Sequence, residues 1–104
     1  MKQSTWNRLT YFEQLSNIDG EVVRLVENHE NYIKGITGND YADDYVRKID
    51  KFIRMTAFDP KNQTKGYRVL ELMDELGEIR RYLKGEVDSD YILRYWNQYT
   101  KAIS

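Results

Sequence analysis

The chain has 104 residues, 40% apolar and 32% charged, with one proline and no cysteine. That length fits a single domain over residues 1–104, and the missing cysteine excludes disulfides, thiolate metal centres and a thiol nucleophile. Sixteen Lys+Arg against 17 Asp+Glu leave a net charge of −1, so nucleic acid, whose binders carry surplus positive charge, is not the expected partner.

Apolar residues recur every three or four positions, the helical period. Leu15, Ile18, Val22, Leu25, His29 and Tyr32, flanked by Phe12, Val26 and Ile33, predict one long helix from about Thr5 to Lys34. Ser16, Asp19 and Gly20 mark a place where it could kink. Trp6 and Leu9 fall off this stripe, so the first turns are expected to pack against something else. Lys34–Asp40 reads as a loop, with Asn39 or Asp40 as the next cap. A second helix is expected over about Asp40–Ala57, with Ala42, Tyr45, Val46, Ile49, Phe52, Ile53 and Thr56 inward. Asp59-Pro60 breaks the chain: proline disfavours helix before it and fits the first turn after it. The third helix is expected from about Pro60 to Lys84, loose through Asn62–Gly66, with Val69, Leu72, Met73, Leu76, Ile79, Tyr82 and Leu83 in the core. Gly85 stands where a helix stop belongs. Asp88-Ser89-Asp90 caps a fourth helix to about Ile103. Four helices on short loops predict an all-α, antiparallel four-helix bundle. Acids and bases interleave along each helix, which predicts mixed, solvated outer faces with no ionisable group aimed inward.

No stretch is long and apolar enough to span a bilayer, and Met1–Arg8 lacks the apolar run of a secretion signal. A cytoplasmic protein without a membrane partner is expected. His29 is the only histidine, so neither a histidine metal site nor a catalytic triad can be assembled, and no Gly-rich phosphate loop is present. No metal or cofactor is expected. Arg24 and His29 have the Arg-x4-His spacing that resembles HEPN-type helical ribonucleases, where arginine orients phosphate and histidine moves protons. On a straight helix the two point roughly 140° apart. Glu27-x-x-Glu30 and Glu71-x-x-Asp74 resemble fragments of the Mg²⁺ motif of all-α nucleotide pyrophosphohydrolases. The acids Glu71, Asp74, Glu75 and Glu78, however, centre roughly 135° from their helix's apolar face and are expected to look outward.

Nine tyrosines and two tryptophans are the compositional oddity. Tyr91, Tyr95 and Tyr99 line up at i, i+4 and i+8 beside Trp96. With Trp6 and Leu9 they are the candidate interface residues, because Tyr and Trp favour surfaces that are dry at one end and wet at the other.

Leu15-Ser16-Asn17-Ile18-Asp19-Gly20-Glu21-Val22-Val23-Arg24 and Thr56-Ala57-Phe58-Asp59-Pro60-Lys61-Asn62 resemble a family of small, uncharacterised all-α bacterial proteins with no known activity. The likeness runs from about Leu15 to Tyr99. It implies an all-α domain of unknown function, and a shared polar cluster there would be Asn17, Glu21, Arg24, Asp59 and Lys61. Taken together, the expectation is a non-enzymatic helical bundle that acts on a protein partner or on itself as a homodimer, with ribonuclease or Mg²⁺-dependent nucleotide hydrolysis as alternatives.

Overall fold

The computed structural model describes the backbone of residues 2–38 and 41–103, and the side chains of those residues apart from 65–70 and 97–103. Every regular element among them is helical: α1 (Gln3–Trp6), α2 (Tyr11–Ile33), α3 (Tyr41–Phe58), a 3₁₀ segment (Pro60–Lys65), α4 (Gly66–Leu83) and α5 (Ser89–Ile103). The predicted first helix is two helices. Its break lies at Asn7–Thr10, and α2 runs unbroken through Ser16–Gly20. The cause is a capping box: the Thr10 hydroxyl accepts from the Glu13 N–H (3.1 Å) while Glu13 Oε1 accepts from the Thr10 N–H (2.9 Å). Two donors that a helix start leaves unpaired are thereby satisfied, so a fresh start at Tyr11 costs little.

The ends of α2 and α4 close alike. Gly35 and Gly85 take φ of +75° and +81°. Ile36 and Glu86 then donate backwards to the carbonyls of Asn31 and Arg81, each at 2.9 Å. Only glycine adopts this left-handed backbone without strain. After Asp59 the chain winds as a 3₁₀ turn before α4 begins six residues later than predicted. The caps expected from Asn39 and Asp40 fall outside the described residues. Asp88 does cap α5, its Oδ1 accepting from the Tyr91 N–H at 2.8 Å.

One core joins the helices: Leu15, Ile18, Val22 and Leu25 of α2, Ile49 and Ile53 of α3, Leu72 and Ile79 of α4, Ile92 and Trp96 of α5. α3 packs on α2 and α4, while α5 returns to α2. Four predicted core residues are instead on the outside: Phe12, Tyr32, Ile33 and Met73. Phe12 lies in the first turn of α2, beside the buried Tyr11, and Tyr32 and Ile33 lie in its last turn. No described helix is long and apolar enough to cross a membrane.

Candidate functional site

Sequence reasoning grouped Asn17, Glu21, Arg24, Asp59 and Lys61; the structure distributes their bonds over separate places. Asn17 is exposed and donates to the Glu13 carbonyl of its own helix (2.8 Å). Glu21 and Arg24 pair at 2.6 Å, and Lys48 from α3 reaches the same Glu21 oxygen at 3.2 Å. These three, with Tyr41, Asp44 and Tyr45, line an open cleft of about 500 Å³ between α2 and α3. Glu21 is buried, and its second oxygen, Oε2, meets no hydrogen-bond donor.

Asp59 and Lys61 belong to a different assembly, which ties the Asp-Pro turn to the N-terminal segment. The Gln14 amide nitrogen donates to Asp59 Oδ2 (2.7 Å) and to the Trp6 carbonyl (3.0 Å). Asn62 donates to Gln14 Oε1 (3.0 Å) and to the Thr56 carbonyl (2.8 Å). The Trp6 indole donates to the Thr56 hydroxyl (3.1 Å), and its ring stacks on Phe52 at 4.6 Å. The Lys61 ammonium bonds Asp59 Oδ2 and the Asn7 carbonyl. Burial alone would push the Asp59 carboxyl up, but Lys61 and Gln14 outweigh it and hold the group below the usual carboxylate range. The arrangement is a buried latch in which nearly every polar atom has a partner, leaving little to offer a substrate. Gln14, Thr56 and Asn62 were missed as members of this assembly. Their signal was position: Gln14 lies four residues before Ile18 on the α2 stripe, a core place for a polar amide.

His29 and Arg24 do not share a site. His29 is buried, its Nδ1 lies 2.6 Å from the Tyr41 hydroxyl, and the Tyr82 ring meets it edge-on at 4.7 Å. Burial lowers its pKa, partly countered by Glu30. Burial also raises that of Tyr41, so both groups of the pair are held neutral.

The acids of α4 do not all face outward. Glu71 and Asp74 are exposed, but Glu75 is 1% exposed. Burial pushes its carboxyl up to about 8; the Tyr95 hydroxyl offsets part of this, and Glu78, Asp74 and Glu71 add to it. Glu75 is therefore a neutral acid at neutral pH. The spacing Leu72, Glu75, Leu76, Ile79 was the available signal, because it puts Glu75 on the buried stripe. Among the described residues, no three of His, Cys, Asp and Glu gather as a metal-binding group.

The candidate interface residues separate too. Trp6 and Trp96 are fully buried and Leu9 is half-buried against the core. Tyr91 is exposed and stacks on the half-buried Tyr95 at 6.0 Å. The Tyr99 side chain lies outside the described residues. With Asp88, Asp90 and Arg94, these two tyrosines line a cleft of about 350 Å³.

The outer face of α3 was not anticipated. Asp43 and Asp44 occupy its first turn, and Arg47, Lys48, Lys51 and Arg54 follow, with Asp50 as the one acid among them. The basic half borders a groove of about 620 Å³ with Gln3, Asp50, Met55 and Phe58. Phe58, at the end of the helix, is 69% exposed. No family model matches this chain, and neither a curated protein nor a solved structure matches it.

Proposed function

We propose that this chain is a non-enzymatic all-α protein that works through protein–protein contact, with self-association as its simplest form. The observation that carries this is Phe58, a large aromatic side chain held 69% exposed beside a groove with Met55 in its wall and four cations around it. A solvated aromatic costs free energy that a partner surface recovers, and aromatic and arginine side chains dominate binding energy at interfaces. The groups that could have served catalysis are meanwhile engaged inside the molecule: Arg24 by Glu21, His29 by Tyr41, Asp59 by Gln14 and Lys61.

The architecture belongs to the same proposal. α2 to α5 form an antiparallel four-helix bundle, supported by the packing of α2 on α3, α3 on α4, α4 on α5 and α5 on α2, with connections too short for parallel crossovers. The motifs around Asn17 and Asp59 support membership of the small bacterial family they resemble, and the cysteine-free composition suits a cytoplasmic setting.

Sedimentation velocity on the purified chain, from low to high micromolar concentration, tests the function. Reversible association that weakens at least about tenfold in Phe58→Ala, with an unchanged melting temperature, is expected for an interfacial aromatic. A strict monomer across that range overturns the reading.

A further inference from the structure

The charged stripe on α3 has a counterpart of opposite sign on α4. Arg47, Lys51, Arg54 and Phe58 follow at steps of four, three and four, so they line one face of α3. Arg54 is held by Asp50, whereas Arg47 and Lys51 have no ion-pair partner among the described residues. On α4, Glu71, Asp74 and Glu78 follow at steps of three and four and line one face as well. Glu78 pairs with Arg81; Glu71 and Asp74 have no ion-pair partner among the described residues. The segments Arg47–Arg54 and Glu71–Glu78 are equal in length, roughly 10 Å.

The apolar ends agree in position. Phe58 stands one turn beyond Arg54. The Tyr91 hydroxyl lies close enough to Glu78 and Arg81 to feel both, which places the cleft of Tyr91, Tyr95, Asp88, Asp90 and Arg94 at the matching end of the acidic line. At about 350 Å³ that cleft has room for a phenyl ring, and its tyrosines offer faces to it. Within a molecule the two lines do not pair: among the described residues no ion pair joins Arg47, Lys51 or Arg54 to Glu71, Asp74 or Glu78, and Glu78 lies beside Arg81 and Tyr91 instead.

We propose that copies of this chain join head to tail, the basic stripe and Phe58 of one seating on the acidic line and tyrosine cleft of the next. This rests on the protein-contact reading and gives it a partner, a second copy. Unlike patches meet, so each contact leaves a free stripe at one end and a free acidic face at the other. Growth beyond a dimer follows unless the rotation between copies closes a ring. A nucleic-acid strand would also answer the cations. It would not use the acidic face, and the chain's net charge of −1 provides no long-range attraction for it.

The test uses the full chain in two charge-reversed forms, Arg47→Glu with Lys51→Glu and Glu71→Lys with Asp74→Lys, examined by sedimentation velocity alone and mixed. All four positions are exposed, so circular dichroism is expected to show unchanged helices. The wild type is expected to associate and to weaken at least about tenfold when salt is raised to about 0.5 M, as screened charge contacts do. Each reversed form is expected to stay monomeric alone, since its two faces carry the same sign. Mixed, they are expected to associate again in alternation, because each form's stripe then meets a line of opposite sign on the other. Association of either reversed form at wild-type strength, or a mixture that stays monomeric, overturns the head-to-tail contact while leaving self-association standing. A monomeric wild type overturns both. A monomeric wild type that retards single-stranded RNA on a gel through Arg47 and Lys51 would assign the stripe to phosphates instead.

Discussion

Asp59 and Glu75 are buried carboxyl groups with opposite fates. Asp59 is surrounded by donors and stays charged; Glu75 has one tyrosine and three acidic neighbours and stays neutral. Their effects on stability therefore have opposite signs. Asp59 has a lowered pKa in the fold, so its contribution is complete above the unfolded value of about 4 and is lost as acid titrates through the folded value. Asp59→Ala takes the carboxylate acceptor from the Gln14 amide and the Lys61 ammonium, leaving each only a main-chain carbonyl. A loss of about 2–4 kcal/mol by denaturant titration at pH 7 is expected. Glu75 has a raised pKa, so folding is favoured most below the unfolded value near 4.5 and the benefit disappears as pH rises toward 8. Glu75→Gln is accordingly expected to melt near the wild type at pH 5 and well above it at pH 9. A wild-type advantage at pH 9 would show that Glu75 is ionised and paired.

At the scale of the element, the helix boundaries follow from a few local bonds. Thr10→Ala removes half of the capping box at the head of α2 and is expected to cost about 1 kcal/mol, seen as a lower urea midpoint. Glycines give a sharper comparison. Gly20 lies inside α2 with open space where a Cβ would stand. Gly20→Ala should stabilise by about 0.5–1 kcal/mol, by restricting the unfolded chain and favouring helix. Gly85 is equally uncrowded but sits at φ +81°. Gly85→Ala should destabilise by about 1 kcal/mol, since the strain lies in the backbone and not in contacts. The period of the apolar residues made α3 and α5 readable almost to the residue. The break at Asn7–Thr10 was harder to read, because Thr10 and Glu13 act only as a pair and the helical pattern continues past them.

Across the whole molecule, α1 shows how much depends on a four-residue helix. It brings Trp6 onto Phe52, Thr56 and Gln14, closing one end of the core. Trp6→Ala is expected to cost about 3–5 kcal/mol, as removal of a fully buried aromatic does. Phe58→Ala, at an exposed site, should leave the melting temperature unchanged. Both residues are large aromatics next to helix ends, and nothing local distinguishes them. The helical class, the turns at Gly35, Asp59-Pro60 and Gly85, and most of the core could be read directly from the order of residues, because periodicity and backbone stereochemistry act over a few neighbours. Which aromatic is interior and which carboxyl keeps its proton depended on helices distant in sequence. Burial and electrostatic fields are sums over neighbours in space, and the chain order does not contain those neighbours until it has folded.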